Sequence, residues 1–80
     1  MNFRLYAARH AWLAVPDCMH APQAAVDRFG PLEFRGEIDQ RELSEQQAAR
    51  LEEDIDADSF AVVPEPLALR LQRSLAREHA

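Results

Sequence analysis

The spacing of apolar residues changes along this sequence from every second position to every fourth. Residues 32–39 alternate apolar or small side chains with charged ones, as a strand with one buried face does. Leu67, Leu71 and Leu75 recur every four residues, which is the spacing of one helix face. The chain must therefore combine strands with helices, and its five prolines lie near the boundaries between these segments.

The first sixteen residues predict a β-hairpin. Residues 2–7 alternate apolar and polar side chains, and the apolar run 11–15 ends at Pro16, a residue type that stops strands. The turn between them lacks glycine, asparagine and aspartate, so a helix over residues 5–15 remains the alternative. Four apolar residues of this stretch also share helical spacing: Leu5, Ala8, Trp12 and Val15.

Two helices have recognisable boundaries in the middle of the chain. Pro22 suits the first position of a short helix, and the Gly-Pro pair at 30–31 ends it. Ser44 and Gln47 have the spacing of a capping box, so a second helix should begin at Glu45.

The remaining segments complete an α+β fold in the order β-β-α-β-α-β-α. Residues 60–63 predict a buried strand that ends at Pro64, and Pro66 opens the last helix. We expect a small three- or four-stranded, largely antiparallel sheet with helices packed on one face, in a single domain spanning 1–80. The expected core consists of Phe3, Leu5, Trp12, Leu13, Phe34, Ile38, Leu51, Phe60, Val62, Leu71 and Leu75.

The composition indicates a bacterial protein of the cytoplasm. Cys18 is the only cysteine, so no internal disulfide can form, and this fits a reducing compartment. No apolar run approaches the roughly 20 residues of a membrane span. All nine basic residues are arginine, lysine and threonine are absent, and alanine is abundant, which is typical of a GC-rich bacterial genome or of a mobile element within one.

Charge is distributed unevenly along the chain. The net charge is −5, and ten acidic residues face only two arginines between Glu37 and Glu65. The last helix is basic by contrast. An acidic chain disfavours general affinity for nucleic acid or for anionic membranes, because that affinity comes mainly from a positive surface.

Two charged groups and one aromatic residue are candidates for binding a partner. Arg70, Arg73 and Arg77 recur at i, i+3 and i+7 opposite the leucines of the last helix, and we call them the arginine ridge. Their guanidinium groups suit carboxylate or phosphate partners, although a solvated helix face explains the same pattern. The acidic patch comprises Glu52, Glu53 and Asp56, and Trp12 is either a core residue or an interface anchor.

The window Asp54–Glu65 resembles the calcium loop of the EF-hand family. Acids occupy positions 1, 3, 5 and 12 of twelve: Asp54, Asp56, Asp58 and Glu65. The resemblance implies a calcium-responsive module. Ser59 stands where that loop needs glycine, and a strand following an acidic helix end explains the same residues.

No group of residues predicts catalysis. Cys18 and His20 lack the further residues that a thiolate nucleophile or a zinc site needs. The two glycines belong to no nucleotide-binding motif. We therefore expect no enzyme activity, no cofactor and no bound metal.

A small domain without catalytic groups mainly offers a surface. We therefore expect a non-enzymatic protein–protein interaction or regulatory module whose partner is another protein or a second copy of the chain. The alternatives are the calcium-responsive module above and a nucleic-acid-binding protein that uses the arginine ridge.

Overall fold

A computed structural model describes the backbone of residues 2–78 and the side chains of residues 2–77. Its strands are β1 (Asn2–Ala7), β2 (Trp12–Pro16), β3 (Glu33–Asp39) and β4 (Ala61–Val63), and its helices are α1 (Gln23–Phe29), α2 (Glu45–Asp58) and α3 (Glu65–Glu78). The element order predicted from the sequence is confirmed. A short 3₁₀ helix, Gln40–Glu42, is added between β3 and α2.

The four strands form one antiparallel sheet in the order β3-β1-β2-β4. β1 and β2 form the expected hairpin, and the helical alternative for residues 5–15 is wrong. The backbone N–H of Ala8 donates to the carbonyl oxygen of Ala11 at 2.8 Å, which closes the hairpin loop without glycine.

Helices α2 and α3 form the expected layer on one face of the sheet. Leu51 of α2 and the stripe Leu67, Leu71 and Leu75 of α3 are buried against Phe3 and other inward residues of the strands. The shorter α1 departs from the expected arrangement and lies against the opposite face. There Ala25 packs with residues that alternate with those of the main core: Leu13, Val15 and Phe60.

Two residues expected in the core are exposed. Phe34 is 55% exposed because β3 has a bulge at Arg35, and this extra residue moves Phe34 to the face that carries Tyr6. The two rings meet edge to face, with centroids 5.6 Å apart. Val62 is 41% exposed because Ala61 and Val63 are the inward residues of β4.

The capping box predicted for α2 is confirmed. Gln47 N–H donates to Ser44 Oγ at 3.1 Å, and Ser44 N–H donates to Gln47 Oε1 at 3.0 Å. These two bonds satisfy backbone donors that would otherwise lack a partner at the helix start. α1 begins one residue later than expected, with Pro22 as its N-cap.

Candidate interaction surface

The arginine ridge lies on the side of α3 that faces away from the sheet. Arg70, Arg73 and Arg77 are all exposed, whereas the leucine stripe of the same helix is buried. With Ala76 they line one shallow depression. The structure therefore brings the three predicted arginines together.

Arg70 differs from the other two arginines because it has partners within the fold. Its Nη2 atom donates to the carbonyl oxygen of Glu42 at 3.0 Å and to Gln47 Oε1 at 3.1 Å. Ser74 Oγ donates to the carboxylate of Glu42 at 3.0 Å, one turn further along α3. Arg70 thus connects α3 to the beginning of α2.

Arg73 and Arg77 have no such contact. Among the described side chains, no carboxylate oxygen lies within 4.0 Å of a nitrogen atom of either residue. Each guanidinium carries five N–H donors, which water satisfies in the free protein. These donors are available to carboxylate oxygens of a partner.

Trp12 lies beside α3 and is half-buried. It packs against the main core cluster, and the guanidinium of Arg35 lies 5.9 Å from the centroid of its ring. Trp12, Arg35, Gln72, Leu75 and Ala76 line a shallow depression. Trp12 is therefore partly a core residue and partly a surface residue, which sequence alone left open.

A third depression shares Trp12 and Gln72 with the one just described and extends to the β1–β2 loop. It is lined by Arg9 and His10 of the loop, by Leu69 and Gln72 of α3, and by residues of β4. Leu69 is 48% exposed. Shared lining residues connect the three depressions into one area, which we call the α3 surface: Arg9, His10, Trp12, Arg35, Leu69, Gln72, Arg73, Ala76 and Arg77.

The α3 surface is positive although the whole chain is acidic. It contains four arginines, and among the described residues Glu65 is the one acidic residue that lines any of the three depressions. Arg35 Nη1 lies 3.6 Å from Glu33 Oε1, and this pair is exposed. A positive surface beside a half-buried tryptophan has the composition of many protein–protein interfaces, which are enriched in tryptophan and arginine.

The acidic patch lies in the C-terminal half of α2. Glu53 and Asp56 are exposed and Glu52 is half-buried. Neighbouring Asp54 is 3.7 Å from Arg50, but among the described side chains no basic nitrogen lies within 4.0 Å of the three carboxylates of the patch. The last turn of α2 has no basic residue, and Glu52 and Asp56 are like charges four residues apart. Such pairs destabilise a helix by about 0.2–0.5 kcal/mol each.

The structure does not bring the acidic patch to the arginine ridge within one chain. Arg70 contacts Gln47, in the first turn of α2. Asp56 lies nine residues further along that helix, which corresponds to about 13 Å of helix length. The two charged groups therefore occupy different parts of the same helical layer.

The calcium-loop window is not a loop in the structure. Residues 54–58 are the end of α2, residues 61–63 are β4, and Glu65 belongs to α3. Ser59 has a left-handed backbone, with φ of 71°, and ends α2. Among residues 2–77 no three histidine, cysteine or acidic side chains are grouped so that they could hold a metal ion. The resemblance to the EF-hand loop is thus limited to the order of acids in the sequence.

One charged contact was missed by the sequence interpretation. Arg41 donates to Asp39 from its backbone N–H at 2.9 Å and from Nη2 at 3.0 Å. These hydrogen bonds hold the pKa of Asp39 below its usual value. The signal was present, because Asp39 and Glu42 have the spacing of a capping box. Arg35, Leu69 and Gln72 of the α3 surface had no such signal, since the fold brings them together from β3 and α3.

Cys18 and His20 are exposed residues of the β2–α1 connection. Within the described part of the chain, no helix has both the length and the apolar composition that a membrane crossing requires.

Comparison with protein-family models, with curated proteins and with solved structures finds no match.

Proposed function

We propose that the chain is a non-enzymatic protein–protein interaction module that binds an acidic protein partner through the α3 surface. The observation that carries this proposal is the pair Arg73 and Arg77, which are exposed without a carboxylate partner among the described side chains. Their depression shares Ala76 with the depression that half-buried Trp12 lines. A regulatory role fits a small domain whose described side chains offer a binding surface.

The chemistry of the α3 surface favours acidic protein groups over other ligands. Guanidinium groups bind carboxylates through two parallel hydrogen bonds, and Trp12 and Leu69 supply apolar area that a partner would cover. A nucleic acid offers phosphates to the same arginines. It would also approach the acidic residues of α2 on the same helical layer, and the net charge of −5 opposes such a complex.

The cytoplasm of a bacterium, or of a cell carrying a mobile element, is the setting that this proposal assumes. Its support is compositional: a single cysteine, which is exposed, and basic residues that are all arginine.

The test is affinity capture from a soluble extract of the source cells. Three baits are compared: the wild-type chain, Arg73→Glu/Arg77→Glu, and Arg28→Glu as a control that reverses one charge elsewhere. Arg28 is also an exposed arginine in a last helical turn, but it lies on α1 and therefore on the opposite face of the sheet. We expect nuclease-resistant partners that the wild type and Arg28→Glu retain and the double variant loses.

The proposal is wrong if the double variant captures the same proteins as the wild type, or if nuclease treatment removes everything that the wild type retains. Far-ultraviolet circular dichroism of each bait confirms that lost capture does not reflect lost folding.

A further inference from the structure

We propose that the acidic partner of the α3 surface is a second copy of the chain, whose acidic patch on α2 contacts Arg73 and Arg77. This inference rests on the proposed function, because it names the partner of the same surface. It adds a prediction about the acidic patch, which the proposed function does not require.

The two charged groups point away from the sheet on the same helical layer. Arg73 lies two residues from buried Leu71 and two from buried Leu75, which places it on the outer side of α3. Glu53 is likewise two residues from buried Leu51 of α2. Both groups can therefore meet a molecule that approaches this layer from solvent.

Their separation within one chain favours contact between two chains. The contacts of Arg70 fix α3 beside the start of α2, whereas the acidic patch lies nearer the other end of α2. A two-fold axis passing between the two groups would place the arginines of each copy on the acidic patch of the other. Such an interface uses the same contact twice, as in most symmetric dimers.

Electrostatics within the patch also favour a basic partner. Glu52, Glu53 and Asp56 repel one another, and they lie near the C-terminal end of α2, where the helix dipole disfavours negative charge. Arginines from a second copy would relieve both effects. Each copy carries a net charge of −5, but Coulomb energy falls with distance, so opposite charges in contact across the interface outweigh like charges that lie further apart.

The helical layer also exposes apolar side chains to solvent. Leu69 projects from α3, and Ala49 and Ala57 are exposed small residues of α2. Small side chains allow two helices to approach closely.

The test reverses the charges of one group at a time and measures self-association by sedimentation equilibrium at low ionic strength. One variant is Arg73→Glu/Arg77→Glu and the other is Glu53→Arg/Asp56→Arg. We expect each variant alone to be a monomer, with at least about tenfold weaker self-association than the wild type, because like charges would face each other. An equimolar mixture should regain the wild-type dimer, because opposite charges face each other again at both contacts.

Three results would overturn the inference: a monomeric wild type, a dimer in either variant alone, or a mixture that stays monomeric. Arg28→Glu is the folded control and should dimerise like the wild type. If a reversed variant does not fold, Arg73→Gln/Arg77→Gln replaces it, and a dimer of unchanged affinity then overturns the inference. A monomeric wild type that still captures a foreign protein through Arg73 and Arg77 would refute this inference and leave the proposed function standing.

Discussion

Gly36 and Ser59 have positive φ angles, which most residues with a side chain adopt only at an energetic cost. Gly36 has φ of 148° and lies under Leu75, whose Cδ2 atom would be 2.8 Å from a Cβ atom at position 36. Ser59 has a left-handed backbone that glycine adopts more readily. The backbone therefore favours glycine at both positions, and serine occupies the second of them.

Gly36→Ala should destabilise the protein by about 1–3 kcal/mol, because alanine rarely adopts a φ of 148° and its methyl group must displace the end of the buried Leu75 side chain. The matched control is Gly30→Ala, since Gly30 also has a positive φ but has no atom within 4 Å of the new Cβ. Urea unfolding of both variants should show the larger loss for Gly36→Ala. An equal or smaller loss than in Gly30→Ala would contradict the predicted collision.

Ser59→Gly should stabilise the protein by about 0.5–1 kcal/mol, because glycine removes the cost of the left-handed conformation at the end of α2. In thermal unfolding this corresponds to a rise of a few degrees in Tm, about 4–8 °C per kcal/mol for a domain of this size. Ser59→Ala is the control and should give no rise. A Tm of Ser59→Gly at or below that of the wild type would refute the prediction.

Asp39 should contribute to the pH dependence of stability. Hydrogen bonds from Arg41 lower its pKa in the folded state, so its contribution is present above the unfolded pKa of about 3.9 and is lost as pH falls through the lower folded value. Asp39→Asn lacks this titration. The Tm difference between wild type and Asp39→Asn should therefore shrink below about pH 4. If the plots of Tm against pH for the two proteins run parallel, Asp39 does not contribute to the pH dependence of stability.

At the scale of elements, α3 packs one side against the sheet and α2 and exposes its other side to solvent. Its leucine stripe and Arg70 hold it to the sheet and to α2, and Arg73 and Arg77 remain in solvent. Sequence spacing predicted the arginine ridge as one group. It could not distinguish Arg70, because Glu42 and Gln47 approach Arg70 only through the tertiary fold.

Arg70→Ala should therefore destabilise the protein by about 1 kcal/mol, because it removes two hydrogen bonds from an exposed side chain and a typical intramolecular hydrogen bond contributes about 0.5–1.5 kcal/mol. Arg73→Ala should change stability by less than about 0.5 kcal/mol, as exposed residues without partners do. Denaturant unfolding of both variants compares them directly. Equal effects would mean that the contacts of Arg70 do not connect α3 to α2.

At the scale of the whole molecule, the order of elements and most of the core were predictable from the sequence. Apolar periodicity, prolines and the capping box locate each strand and helix within one or two residues. The bulge at Arg35 was not predictable, because uninterrupted alternation places Phe34 on the same face as Ile38. The α3 surface was predictable only in part, since its arginine ridge is local to one helix whereas Trp12, Arg35 and the hairpin loop join it through the fold.

The central proposal is that this surface binds an acidic partner and that this partner is a second copy of the chain. It is tested most directly by the molar mass of the wild-type chain, measured by light scattering over a concentration series at low and at high salt. We predict a dimer at low salt that dissociates as salt rises, because salt screens the contact between Arg73, Arg77 and the acidic patch. A monomer at every concentration, or a dimer that salt does not affect, would contradict the proposed self-association through these charged groups.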